Sequence, residues 1–145
     1  MATAHDVANY ILHELGPMSA MKLQKLVYYS QAWHLVWDEE PLFDDEIEAW
    51  ANGPVVYSLY REHRGMFVVK EWPKGRRKNL TKSEAGSIDA VLSTYGGLTA
   101  QQLSTMTHRE DPWQNARKGI RDGERSDAEI SVGAMHEYYH GLNQR

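Results

Sequence analysis

The segment from Ala20 to Trp37 carries apolar side chains on more than one side of the helix it predicts. Leu23, Leu26, Val27, Trp33 and Trp37 share one side, while Tyr29, Ala32 and Val36 fall on another. A surface helix keeps a single apolar stripe, so an apolar surface this wide belongs to a central helix covered by several neighbours. Ser19 is placed to cap it. The remainder of the chain must then supply the covering elements.

Most of those elements read as helices. Val7, Tyr10, Ile11 and Leu15 share a face over Thr3 to Leu15, and Gly16-Pro17 ends that pattern. Thr81-Lys82-Ser83-Glu84 is a capping box, followed by Ile88, Val91, Leu92 and Tyr95 and stopped by Gly96-Gly97. Thr99 to Gln102 repeats the box, with Leu98 and Leu103 spaced as a hydrophobic staple. Asp111-Pro112 opens a further short helix through Trp113 and Ala116, closed by Gly119, and Met135, Tyr138, Tyr139 and Leu142 mark a last one. Strand candidates are short: Glu46 to Ala51, Met66 to Lys70 and Ala128 to Ser131. The fold class expected is α+β, mainly α-helical, a compact helical core around a central buried helix with a small antiparallel β-sheet. Pro73 to Asn79 and Arg121 to Asp127 read as flexible loops.

The block from Glu46 to Arg64 joins a strand to a helix. Ile47 and Ala49 alternate with Glu48 and Trp50, the period of a strand with two unlike faces. Asn52-Gly53 tolerates positive φ and Pro54 suits a first helical position, so the spacing predicts a helix from Pro54 with Val55, Val56, Leu59 and Tyr60 inward and Arg61, Glu62 and Arg64 toward water.

With 145 residues the chain is read as one domain, 1–145, large enough for a core without staples. It has no cysteine, which removes disulfides and thiolate zinc sites and agrees with a cytoplasmic setting. No apolar run reaches membrane-helix length, and the N-terminus lacks the order of a signal peptide. A net charge of −4 does not favour a dedicated DNA binder. The charge is uneven, with an acidic stretch from Asp38 to Glu48 and a basic one, Lys70, Lys74, Arg76, Arg77, Lys78 and Lys82, around Trp72. The basic stretch is either a phosphate-contacting loop or a solvated turn, and one neighbouring aromatic favours the turn.

The sharpest chemical motif is His136-Glu137-Tyr138-Tyr139-His140, which matches the His-Glu-x-x-His pattern of zinc metallopeptidases. A catalytic zinc needs a third protein ligand, and the five residues that follow contain no His, Asp or Glu. Tyr138 and Tyr139 also sit where the apolar face of a terminal helix needs them. The pair therefore suits adventitious zinc or nickel binding better than catalysis. His34, His63 and His108, with Glu110 or Asp111 nearby, read as hydrogen-bonded structural residues. No cysteine nucleophile, glycine-rich phosphate loop or Gly-x-Ser-x-Gly elbow is present, so neither an enzyme nor a cofactor or metal is indicated. The run Thr107 to Arg117 places Trp113 among Arg109, Arg117, Glu110 and Asp111, which reads either as a recognition surface or as a capped turn with Trp113 tucked inward.

Met21 to Trp33, the Glu48 to Tyr60 block and Leu103-Ser104 through Trp113, taken in that order, resemble the Panacea antitoxin domain, the family of SocA-like and phage-associated GepA-like proteins. The resemblance covers nearly the whole chain. It implies a non-enzymatic antitoxin that neutralises a cognate protein toxin encoded by a neighbouring gene through direct binding. A SocA-like member can instead hand its toxin to a Clp-type protease. Many members carry an extra N-terminal region, and this chain begins almost at the domain, which favours occlusion over operon autorepression. No membrane or nucleic-acid partner is expected. The residues assigned to the partner are Tyr57, Tyr60, Arg61, Arg64, Arg109, Trp113 and Arg117, with Trp50 and Pro54 as scaffold.

Overall fold

The computed structural model describes residues 1–144. Its elements run α1 (Ala4–Leu15), β1 (Met18–Ser19), α2 (Ala20–Asp38), β2 (Ile47–Trp50), β3 (Gly53–Val56), α3 (Tyr57–His63), β4 (Val68–Val69), a 3₁₀ turn (Arg77–Asn79), α4 (Lys82–Tyr95), α5 (Ala100–His108), α6 (Asp111–Ala116) and α7 (Val132–Asn143). The α+β, mainly helical class expected from the sequence is the one observed.

Helix α2 is the axis. From Leu23 to Ala32 only buried side chains occur, and α1, α4, α5, α7 and the β2–β3 hairpin all pack on it. Ser19 accepts the Lys22 N–H as its cap. The capping boxes at Thr81 and Thr99 are both formed, and Thr3 with Asp6 makes a third.

Two glutamines inside this core pair with backbone. Gln24 and Gln31 lie two helical turns apart on α2, and both are fully buried. The Gln31 amide accepts from Leu42 N–H at 2.7 Å and donates to the Phe43 carbonyl at 2.7 Å. Gln24 does the same to Val56, accepting from its N–H at 2.7 Å and donating to its carbonyl at 3.2 Å. At the far end Glu110 accepts from the hydroxyls of Tyr29 and Tyr139, each at 2.7 Å, and so links α2 to α6 and α7. Burial holds the Glu110 carboxyl above the usual carboxylate range, with the two phenol donors opposing that rise.

Two expectations need correction. Pro54 does not begin a helix. It lies in β3, which pairs with β2 in the register Ile47↔Val56, Glu48↔Val55, Ala49↔Pro54 and Trp50↔Gly53, and α3 starts at Tyr57. Trp50 and Gly53 flank the Ala51-Asn52 turn, so Ala49↔Pro54 is a pair without mutual hydrogen bonds, and the position needs no donor toward β2. Val55 and Val56, which fit a helical face, are β-branched and extend the strand until Gln24 captures Val56. The single small sheet is in fact two antiparallel two-stranded ribbons, β2–β3 and β1–β4. The Ala128 to Ser131 segment lies along the other edge of β2 through a Glu48↔Glu129 bridge, with Ala49 N–H to the Ala128 carbonyl and Ile130 N–H to the Ile47 carbonyl, each at 2.8 Å.

The basic Pro73 to Asn79 segment is docked along its backbone. Asp6 accepts from Arg76 N–H at 2.8 Å and the Asn79 amide at 3.2 Å, and Asn9 donates to the Trp72 carbonyl at 2.7 Å. A Cβ on Gly75 would run into the His5 carbonyl. The charged side chains Lys74, Arg76, Arg77 and Lys78 stay exposed.

Replacing Gln31 by Ala removes both partners of a buried backbone pair and leaves a void. Urea unfolding of Gln31→Ala is expected to show a loss of roughly 2–4 kcal/mol, against a change within about 0.5 kcal/mol for Gln101→Ala on the exposed side of α5. Equal effects of the two would remove Gln31 from its structural role.

Candidate functional site

The two unlike faces of β2 have different uses. Ile47 and Ala49 turn into the core, and Glu48 and Trp50 turn outward into a cleft of ≈ 760 Å³. This volume is within the range of small-ligand and anchor pockets. Met21 and Gln24 of α2 line it on one side, and Tyr57, Tyr60 and His63 line it from α3. Those three are spaced i, i+3 and i+6, so they form one stripe of a short helix. Arg125, Ser126 and Asp127 make the opposing lip.

The cleft is rich in aromatic contacts. Trp50 and Tyr60 meet edge to face with centroids 4.7 Å apart, Tyr57 and Tyr60 lie 6.1 Å apart, and Tyr60 meets His63 at 5.5 Å. Trp50 Nε1 donates to Glu48 Oε1 at 2.7 Å, which fixes both side chains. The Gln24 amide donates to His63 Nε2 at 2.9 Å, so that nitrogen is unprotonated, and burial lowers the His63 imidazole below its ordinary value.

The seven sequence-assigned residues divide into three groups. Tyr57 and Tyr60 line the cleft, with Tyr57 44 % exposed. Arg61 lies over the Tyr57 ring at 6.0 Å, and Arg64 is exposed just past the end of α3. Arg109 is exposed at the end of α5 and does not line the cleft. Trp113 and Arg117 are buried behind it, at 5 % and 3 % exposure. Trp113 Nε1 donates to the Trp50 carbonyl at 2.8 Å. The Arg117 guanidinium donates to the carbonyls of Ala49 at 2.9 Å, Arg121 at 3.1 Å and Glu124 at 2.6 Å. Both therefore act within the chain: Trp113 braces the hairpin, and Arg117 ties it to the lip-bearing loop. In the free chain neither leaves its bonded polar end at the surface.

Sequence reasoning did not assign Met21, Gln24, Glu48, His63 or the Arg125 to Asp127 lip to the site. The outward alternation of Glu48 and Trp50 was the available signal. The lip had none, because it is positioned by backbone groups that any residue could supply, the Arg121 and Glu124 carbonyls held by Arg117 on one side and the Ala128 and Ile130 bonds to β2 on the other.

Beneath the hairpin, Lys25 is fully buried and its Nζ has no hydrogen-bond partner among the described residues. Its stem crosses under Gly53, where an added Cβ would lie 2.5 Å from Lys25 Cε and 3.0 Å from Thr107 Oγ1. Gly53 also has φ of +121°, so glycine suits this position on both counts. Burial lowers the Lys25 ammonium to about 7. His136 and His140 stack at 5.3 Å on α7, and no group of three or more metal-ligating side chains occurs among the described residues. No helix among these residues is long and apolar enough to cross a membrane.

A family model, Antitoxin SocA-like, Panacea domain, matches residues 23–114. The chain belongs to this family. It is 27 % identical over 136 residues to Antitoxin SocA of Caulobacter vibrioides (strain NA1000 / CB15N), a match spanning 80 % of this chain and 71 % of that protein. No solved structure matches. The Panacea match contains the hairpin, α3 and Gln24, while Met21, Arg117 and the lip lie outside the matched residues.

Lys25 gives the site a pH signature with a definite sign. Its folded value is below the 10.5 of an unfolded lysine, so between about pH 7 and 10 the unfolded chain binds more protons and stability rises with pH. Below about 7 both states are protonated and the penalty is constant. Urea unfolding at pH 7 and pH 9 should show a gain of roughly 2 kcal/mol in the native chain that is absent in Lys25→Met. The same gain in the variant would assign the effect to another group.

Proposed function

We propose that this chain is a non-enzymatic antitoxin that neutralises a cognate protein toxin by direct binding, with the β2–α3 cleft as the centre of the interface. Family membership supports the antitoxin role, as does the name of its Caulobacter relative. The observation that carries the choice of surface is the preformed cleft, which Trp50, Tyr57 and Tyr60 line together with Glu48. Aromatic anchors beside arginines dominate protein interfaces, and here Arg61 lies over the Tyr57 ring and Arg64 is exposed just past the end of α3. Arg109 stands apart from this grouping and is a peripheral contact in the proposal.

Binding of this kind requires complementary surface and a few anchors, and no reacting group. A toxin held over the cleft is neutralised either by covering its active site or by fixing an inactive conformation. Delivery to a Clp-type protease would use the same contact and differ in its dependence on the protease.

Co-expression with the product of the neighbouring gene tests the reading. The native chain should copurify with that protein and restore growth, including in cells lacking Clp proteases. Tyr57→Ala combined with Tyr60→Ala should weaken capture about tenfold or more while the native unfolding transition is retained. Failure to copurify with or rescue from the neighbouring product would refute the antitoxin reading. Rescue confined to cells with the protease would replace occlusion by delivery, and undiminished capture by the double variant would move the interface elsewhere.

A further inference from the structure

The cleft has a charge arrangement that its own fold leaves unbalanced. Glu48 Oε1 accepts from Trp50 Nε1, and Oε2 has no donor among the described residues. Directly opposite Glu48 in the antiparallel bridge stands Glu129. The backbone bonds flank this pair rather than join it, so the two side chains leave the same face at close range, where like charges repel. Asp127, two residues earlier on the same edge, lines the cleft as well. None of the ion pairs among the described residues includes Glu48, Asp127 or Glu129. Among the described residues Arg125, on the lip, is the one Lys or Arg in the lining, and none of their ion pairs includes it.

Around this carboxylate are the rings of Trp50, Tyr57 and Tyr60, whose negative faces attract cations. The chain itself shows the contact on the outer side of the stripe, where Arg61 rests over Tyr57. We propose that the cleft receives an arginine side chain projected by the partner protein, its guanidinium at Glu48 and its methylene stem along Tyr57, Tyr60 and Trp50. Arginine fits better than lysine because a planar guanidinium can bond a carboxylate with two parallel donors and stack on a ring at the same time. The volume of ≈ 760 Å³ exceeds one side chain, so residues flanking the arginine enter with it. Arg125 is then an internal competitor for the same acidic face. The proposal rests on the toxin-binding reading for the partner's identity and deepens it by naming the partner's chemistry.

The test uses the full chain and short blocked peptides. The indole N–H signal of Trp50, assigned by its loss in Trp50→Phe, is followed by NMR while acetyl-Gly-Arg-Gly-amide is added, with citrulline and glutamate counterparts as controls at constant ionic strength. Saturable movement of the Trp50 signal is expected with the arginine peptide, at least fivefold weaker with the citrulline peptide, and absent with the glutamate one. Glu48→Gln should weaken the arginine peptide at least fivefold, and Arg125→Ala should tighten it, with the indole signals of Trp33, Trp72 and Trp113 unmoved as evidence of an intact fold. No movement, equal response to arginine and citrulline, or preference for the glutamate peptide would overturn the proposal. Weaker arginine binding in Arg125→Ala would overturn it too, by making that residue part of the site. No toxin enters this titration, so its failure leaves the co-expression result standing, and loss of rescue leaves the titration standing.

Discussion

The structure depends on two glutamines. Gln24 and Gln31 stand on one side of the central helix and use both ends of their amides to bind backbone as a neighbouring strand would. A helix with apolar side chains on all sides can exclude water but cannot by itself fix where irregular segments dock on it. Buried amides can, because an unpaired backbone donor or acceptor at the same depth costs about 1–3 kcal/mol. Gln31 sets the course of the chain after α2, and Gln24 sets the end of the hairpin. The residues between these anchors, Asp44 to Val55, are thereby committed to cross the helix where they do.

The position of the cleft follows. Once Val56 is held, α3 must begin at Tyr57, and its first turns present Tyr57, Tyr60 and His63 toward the outward face of β2. Trp113 and Arg117 then brace the hairpin from behind by donating to the carbonyls of Trp50 and Ala49. The same guanidinium grips Arg121 and Glu124 and so brings the lip across the mouth. The walls are thus built from α2, the hairpin and α3, while the lip comes from the loop before α7. Arg117 fixes the start of that loop, and the bonds of Ala128 and Ile130 to β2 fix its end.

Features closed by neighbouring residues were legible in the sequence. The capping boxes at Thr81 and Thr99 each satisfy orphan N–H groups within one turn, and the apolar breadth of Ala20 to Trp37 is a count over a single helix. The reading of Pro54 failed because the deciding contact joins residues 32 apart, Gln24 to Val56, and because a proline at a position without a ladder bond does not disrupt a strand. Trp113 and Arg117 carry the composition of an interface anchor, and nothing local distinguishes an anchor aimed outward from one aimed at its own hairpin. The outward face of β2 was legible as a distinct face, though not as one wall of a cleft, since the other wall and the lip arrive from remote positions.

Several local rules are broken together around this cleft. A fully buried lysine with no hydrogen-bond partner among the described residues lies under the hairpin, two glutamates oppose each other on its edge, and Tyr57 remains partly exposed on the adjoining helix. The far end of the core is different: there the Glu110 carboxylate has two phenol donors and Tyr29 stacks on Tyr95 at 4.3 Å. Natural sequences tend to satisfy local preferences except where another requirement overrides them. Glu48 and Glu129 stand at such a place: like charges directly opposite each other across a bridge disfavour the free chain, and in the proposal above a cation brought by the partner offsets that cost. On that proposal the interface is disfavoured when empty and relieved when filled, so the surface that weakens the fold is also one that gains from a partner.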